Sequence, residues 1–434
     1  MRRSTGSIRP GVVAVTLLVA VWARVGFGAN YRFGLDFIET ATPAPAGAGF
    51  LAAEFQPFPI TNLSTNFVVD GGLAGWTEEE VRQQILLRVE DVYRAIDTGD
   101  PDTTVRFALY LGTVPQSISG SRYNVALGAG PFSIWGEQHN VSIDNYTAAV
   151  YLNKIDEAFV ANPNISWDTP EKVLNAISGT TAHEIGHRFL GDYHAPAGPE
   201  EPYDIMAIPA TGLTTEARFT VRRFSDQTTA LLLPEIGTVN RADFDMNDWV
   251  DGQDIDTLLA NFGRTDALFQ DADTNGDHTV DGRDINTLIS NFSGVIDPPS
   301  EGMAVAQYDP ATGEFAVSAD GVMSWTLLSE GQFTGTGLGG LSEILAREGE
   351  SNLVSANANT IGDGNFDGPV SYSGVSLGRL TDPGCDPGVF TLEYVTGRGG
   401  QRLQGTISVV PEPSTVVMLL GAVVGLYLWQ RRLR

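Results

Sequence analysis

A chain of 434 residues is long enough for two or three domains, and its 42% apolar content is that of a globular protein rather than a disordered one. The formal net charge of −27, with Lys154 and Lys172 the only lysines, argues against nucleic-acid binding, which needs Lys and Arg clusters against phosphate. The single cysteine, Cys385, rules out an internal disulfide framework and thiolate metal clusters, so a bound metal must be held by His, Asp or Glu.

At the N-terminus, Arg2, Arg3 and Arg9 precede an apolar run over 11–23, and the small residues Gly26, Gly28 and Ala29 follow. That order is the order of a secretory signal peptide and assigns 1–29 to a segment removed on export. Residues 30–238 read as an α/β domain. Its first 45 or so residues, rich in Ala, Pro, Gly and Thr, hold a strand or two that the pattern does not place. Thr77 followed by Glu78, Glu79 and Glu80 has the form of an N-cap with an acidic first turn. Val81, Ile85, Leu86, Val89, Val92 and Tyr93 then recur at helical spacing to about Ile96. Residues 104–111 alternate and read as a strand, as do 148–152. A second helix starts at Thr169-Pro170-Glu171, with Pro in the first turn, and is expected to run to Phe189 or Leu190.

That second helix carries His183-Glu184-Ile185-Gly186-His187, and His194 follows after Gly191. Residues four apart lie one turn apart on one helix face, so His183 and His187 can direct ring nitrogens at one ion. Glu184 stands about 100° further round, close enough to take a proton from a metal-bound water without ligating the metal. Zinc in such a site lowers the pKa of that water to about 7 and polarises a carbonyl. Three of the chain's five histidines fall in this stretch, among small and apolar neighbours (Ala182, Ile185, Phe189, Leu190) where uncompensated polar groups would be costly.

Together these residues resemble the metzincin zinc metallopeptidases, whose signature is HExxHxxGxxH. The resemblance implies His183, His187 and His194 as zinc ligands, Glu184 as general base, Gly191 as helix breaker, and Met206 in a methionine turn beneath the metal. The sequence departs from the signature by one residue, since three residues rather than two separate His187 from Gly191. A glutamate third ligand, as in thermolysin-like enzymes, is the other assignment, with Glu200, Glu201 and Glu216 available. A protein or peptide is the implied substrate.

Two copies of one pattern occupy 241–292, 30 residues apart, sharing Asp-Ile-x-Thr-Leu-x-x-Asn-Phe. A calcium loop needs oxygen donors at alternate positions and a carboxylate at position 12. Asp243, Asp245, Asn247, the Trp249 carbonyl, Asp251 and Asp254 supply them in the first copy. Asp273, Asn275, Asp277, the Thr279 carbonyl, Asp281 and Asp284 supply them in the second. The closing Asp and a single following helix (255–262 and 285–292) resemble type I dockerin repeats. This implies a small all-α calcium module over 239–297 and a cohesin-like partner. The glycine usual at position 6 is Asp248 in one loop and His278 in the other.

Residues 300–408 are glycine-rich with alternating runs at 315–318, 390–395 and 403–409, expected to form a sandwich-like β domain, with a turn at Gly397-Arg398-Gly399-Gly400. The last segment, 409–434, joins Pro411-Glu412-Pro413 to an uncharged run over 415–429 and then Arg431, Arg432 and Arg434. That combination resembles the PEP-CTERM sorting signal. It implies a hydrophobic helix inserted transiently in the membrane, processing by an exosortase, and delivery to the cell surface or exterior. The two readings of the whole chain are thus an exported zinc endopeptidase and, alternatively, a catalytically inactive surface or matrix binding protein acting through its dockerin-like module.

Overall fold

A computed structural model describes residues 30–38, 58, 73, 75–118, 120–129, 136–143, 146–160, 169–196, 203–207, 217–293, 302–334, 352–366 and 369–410. The expected signal peptide, the C-terminal hydrophobic helix, and Glu200, Glu201 and Glu216 lie outside these residues. Among the described residues no helix is long and apolar enough to cross a membrane. The protein is of mixed α/β class, and its chain divides into two compact units at Thr238/Val239, with residues 101–103 joining the second.

In the first unit, β1 (Tyr31–Phe37) is followed by α1 (Glu78–Arg94), then the short β2 (Thr103–Val105), β3 (Phe107–Leu111), β4 (Ser121–Gly128), β5 (Gly136–Ile143) and β6 (Tyr146–Tyr151). After these come α2 (Leu152–Val160), α3 (Pro170–Leu190) and α4 (Asp226–Ile236), with β7 (Thr238–Asn240) at the chain's exit. The sheet order is β3-β1-β4-β6-β5. Pairs β1/β3, β1/β4 and β4/β6 are parallel, and the edge strand β5 runs antiparallel to β6.

Helix α1 begins as its sequence predicts: the Thr77 hydroxyl accepts from the Glu80 amide while the Glu80 carboxylate accepts from the Thr77 amide, a reciprocal cap. Its apolar face packs on the sheet and on α3, and Tyr93 stacks on Phe107 with ring centroids 4.2 Å apart. The predicted strand over 104–111 is two strands, broken at Arg106. There the chain turns its side chain onto the Thr238 carbonyl (3.2 Å) and the Asn30 side-chain oxygen (2.9 Å).

Helix α3 is buried on every side from Val173 to His187. Its polar residues are tolerated because they bond locally: Ser178, Thr180 and Thr181 donate to the carbonyls of Leu174, Ala176 and Ile177, at 2.7, 2.8 and 2.9 Å. The Tyr93 hydroxyl donates to the Ala182 carbonyl at 3.0 Å and so fixes the turn just before His183.

In the second unit, α5 (Gly252–Asn261) and α6 (Gly282–Asn291) follow the two acidic loops. Strands β8 (Met303–Asp309), β9 (Glu314–Val322), β10 (Ser324–Leu328), β11 (Asn352–Ala356), β12 (Thr360–Asn365), β13 (Val370–Arg379), β14 (Thr391–Val395), β15 (Leu403–Gln404) and β16 (Thr406–Val409) complete it. They form two sheets, β11-β12-β10-β14-β15 and β13-β9-β8-β16. The run expected as one strand over 403–409 breaks at Gly405, so β15 pairs with β14 in one sheet and β16 with β8 in the other. A Cβ at Gly405 would stand 2.5 Å from a Leu392 methyl and 2.8 Å from the Ala304 carbonyl, so the crossing needs glycine.

Trp325, Leu327, Phe315, Tyr308, Phe390 and Leu392 fill the core between the sheets. The alternate residues of β10, Ser324 and Thr326, are buried too, but against α6: Asn286 bonds both hydroxyls, and the Thr326 hydroxyl donates to the Gly282 carbonyl at 3.0 Å. Gly364 of β12 lets α6 approach, because a Cβ there would meet Ile285 at 2.6 Å. The second repeat and the β strands, read from sequence as separate domains, thus share one compact unit.

Candidate functional site

The first unit places His183, His187 and His194 so that one ring nitrogen of each lies within 4.8 Å of the others. The first two come from α3. His194 arrives because α3 stops at Leu190 and Gly191 takes φ +59° with ψ −136°, a conformation open chiefly to glycine. The extra residue before Gly191 is therefore absorbed as the last residue of the helix, and the Gly191 amide closes onto the His187 carbonyl at 2.9 Å.

Backbone carbonyls orient the rings. His183 Nδ1 sits 2.7 Å from the Ile205 oxygen and His187 Nδ1 2.6 Å from the Gly191 oxygen. Each Nδ1 therefore carries the proton, and the Nε2 lone pairs of the two rings face each other at 3.0 Å. Two donors at about 2.05 Å on one tetrahedral zinc stand about 3.3 Å apart, so the pair has the spacing of neighbouring ligands. Burial, and then the neighbouring His187, hold His183 well below the ordinary histidine pKa; burial likewise lowers His187. Both rings are neutral at physiological pH, the form a metal requires. The donor set, three imidazoles with both α3 rings held in the Nδ1–H tautomer, fits zinc.

The segment 203–207 supports the rings from below. Met206 is fully buried, and its sulfur lies where a Cβ on Gly186 would be, 2.5 Å away. The Met206 carbonyl accepts from Ala195, next to His194, at 2.8 Å, while the Ile205 carbonyl holds His183. One short segment thereby positions two of the three rings. Asp204 anchors it: its carboxylate accepts from the Met206 amide and the Thr228 hydroxyl, both at 2.6 Å, and from Ser225. Sequence reasoning missed Asp204, for which an acid two residues before the methionine was the available signal.

It also missed Gly136, at the start of β5. A Cβ there would stand 2.5 Å from Glu184 Oε1 and 2.7 Å from Glu184 Cγ, so Glu184 lies directly against the backbone of the edge strand.

In the second unit, Asp243, Asp245 and Asp254 of the first acidic loop bring carboxylate oxygens within 4.8 Å of one another. Asp254 also accepts from the Phe244 and Asp251 amides at 2.7 and 2.9 Å, and Asp243 from Asn247 and Asp248. Asn247 and Trp249, at positions 5 and 7, are exposed at the rim, and Asp251 caps α5. Position 6 has φ +75° at Asp248 and +63° at His278, so both loops adopt the left-handed turn without glycine.

The second loop repeats the backbone scheme: Asp284 accepts from Thr274 and Asp281, and Asp273 from Gly276 and His278. Among the described residues, however, its carboxylates form no such cluster. Asp277 pairs with Arg283 at 3.0 Å, and Asp281 turns one oxygen to Asn357 (3.1 Å) and Thr360 (2.6 Å). Asn275 and Thr279 line the exposed side of the loop.

Burial pushes Asp243 up to about 7 and Asp254 and Asp273 up to about 6. A carboxyl raised above its unfolded value of about 3.9 binds more protons when folded, so the ion-free loops lose stability as pH rises through about 4 to 7 and regain it on acidification. Calcium held there would require the ionised form and would have the opposite dependence. The rise in melting temperature on adding calcium is therefore expected to be widest above pH 7 and to close toward pH 5. Calorimetry across that range checks it, and a rise independent of pH contradicts it.

The PEP-CTERM protein-sorting motif matches residues 409–432. It indicates an exported protein sorted to the cell surface and is consistent with processing by an exosortase-type enzyme. No curated protein and no solved structure matches the chain.

Proposed function

We propose that this protein is an exported zinc-dependent endopeptidase of metzincin-like build, carrying a dockerin-like module that binds calcium at its two acidic loops. The convergence of His183, His187 and His194, with both α3 rings oriented by backbone carbonyls, carries the reading. These three residues would hold the zinc, which supplies water activation and carbonyl polarisation when bound. Glu184, one residue from a ligand and buried beside β5, is the group to take the proton from the attacking water and pass it to the leaving amine. The edge position of β5 supports a polypeptide substrate. Among the described residues β5 is the sheet's edge, and an extended chain can add to such an edge through main-chain hydrogen bonds, beside Glu184 and with little regard to side-chain identity.

Metal analysis of the purified protein, with hydrolysis of an unfolded protein and a peptide library before and after chelation, tests the proposal. Zinc-loaded protein that cleaves nothing would favour the surface-binding alternative. His194→Ala is expected to weaken zinc binding by more than the roughly 10- to 100-fold that loss of an outer partner costs, whereas Glu216→Ala should leave it unchanged. The reverse result would move the third ligand to the glutamate. By the same reading Asp243, Asp245 and Asp254 hold the first calcium; a cohesin-like protein is the partner that the dockerin-like repeats suggest.

A further inference from the structure

Beside α3 in the first unit is a second charged site, which the zinc chemistry does not use. A cavity of about 70 Å3 is lined by Arg88, Asp91, Asn175, Ser178, Arg222 and Arg223, among others. Three arginines and one aspartate are thus among its lining residues. Arg222 is only 5% exposed, and its Nε is buried without a hydrogen-bond partner. Its Nη1 makes a long contact of 3.4 Å to the Ile205 carbonyl, and its Nη2 lies 2.6 Å from where a Cβ on Gly179 would stand. Arg88 donates from Nη1 to Asn175 at 2.8 Å, but its Nε is also buried and unpartnered. The hydroxyls of Ser178 and Thr220 are committed to backbone carbonyls.

The charge is poorly compensated. Asp204 acts on Arg222, but both its oxygens are taken up by Met206, Ser225 and Thr228. Asp91 and Glu171 act on Arg88, and Arg218 adds further positive charge next to Arg222. Burial, with Arg218, pushes Arg222 down to about 10, which still leaves it charged at neutral pH. A buried guanidinium that stays charged, with its Nε unpartnered and the nearby Asp204 committed to other donors, is costly, and a bound counter-ion lowers the cost.

We propose that this cavity binds a small inorganic anion of halide size, clamped by Arg88 and Arg222. A space of about 70 Å3 lined by arginines has room for a small anion such as chloride or bromide. The anion also has a structural consequence for the histidine site. Arg222 and His183 share the Ile205 carbonyl, so the ion that holds Arg222 steadies the segment that orients His183.

The test uses the full chain and two probes. Crystals grown in sodium bromide are expected to show an anomalous peak between Arg88 and Arg222. In solution, replacing gluconate by chloride at constant ionic strength should raise the melting temperature, saturably, by about 3 °C or more. Arg88→Gln, at a half-buried position, should fold and lose that response; Arg222→Gln should lose it too if it folds. No bromide peak, equal melting temperatures in chloride and gluconate, or an undiminished chloride response in Arg88→Gln would each overturn the proposal. A bromide peak without any chloride response in solution would mean an adventitious ion only, and would overturn it as well.

Discussion

Replacing Glu184 with Gln is expected to leave the zinc content unchanged and to lower kcat by roughly 10²- to 10⁴-fold, the usual contribution of a positioned general base. The two halves of that expectation have separate causes. Zinc retention follows because the proposed ligands are the three histidines, and His183 and His187 are oriented through Ile205 and Gly191 rather than through Glu184. Loss of turnover follows because Gln keeps the size of Glu but cannot accept a proton. A companion variant separates proton transfer from packing. Gly136→Ala would put a methyl group 2.5 Å from Glu184 Oε1 and 2.7 Å from its Cγ, which forces the carboxylate to move without changing its chemistry. It should lower kcat with zinc retained. Zinc loss in Glu184→Gln would show that Glu184 helps build the metal site, and unchanged turnover would remove it from the mechanism.

The parts of this site that were legible in sequence are those set by local rules. Thr77 with Glu80 marks a helix start wherever it occurs, and Pro170 and Gly191 bound α3 by backbone preference alone. The histidine spacing needs only helical geometry. What was not legible depends on contacts distant in the chain. Strand β4 is buried from Asn124 to Gly128 within the parallel part of the sheet, so it lacks the alternation that marks a strand with one wet face. Strand β1, paired in parallel on both sides, escaped for the same reason. The role of Gly136 is visible only once β5 lies against α3, and that of Asp204 only once α4 brings Ser225 and Thr228 to it. The union of the second repeat with the β strands was hidden likewise. Ser324 and Thr326 look like the solvent face of a strand, and here they face a helix.

That union gives the second repeat a role the first does not have. Asp284→Ala is expected to lower the melting temperature of the second unit by about 6–12 °C, on a loss of about 3 kcal/mol. Asp284 is fully buried and accepts from the Thr274 amide (2.8 Å), the Thr274 hydroxyl (2.7 Å) and the Asp281 amide (2.7 Å). Removing it orphans three buried donors and frees Asp281, the residue that caps α6 and bonds Asn357 and Thr360 beside β12. The damage should therefore spread into the sheet. Amide exchange is expected to quicken along β10 and β12, where Ser324, Thr326 and Gly364 meet α6. Asp254→Ala removes the equivalent carboxylate from the first loop, and there the expected effect is local. Helix α5 buries only Asp254 and Leu258, and Leu259 remains 44% exposed. Stripping calcium from the wild type should follow the pattern of Asp254→Ala in the first loop, where the carboxylates converge. Equal quickening of β10 in both variants, or none in Asp284→Ala, would mean that the second repeat does not clamp the sheet. The two repeats thus differ in exposure: α6 packs on the protein's own sheet, whereas Leu259 of α5 and Trp249 of the first loop are exposed.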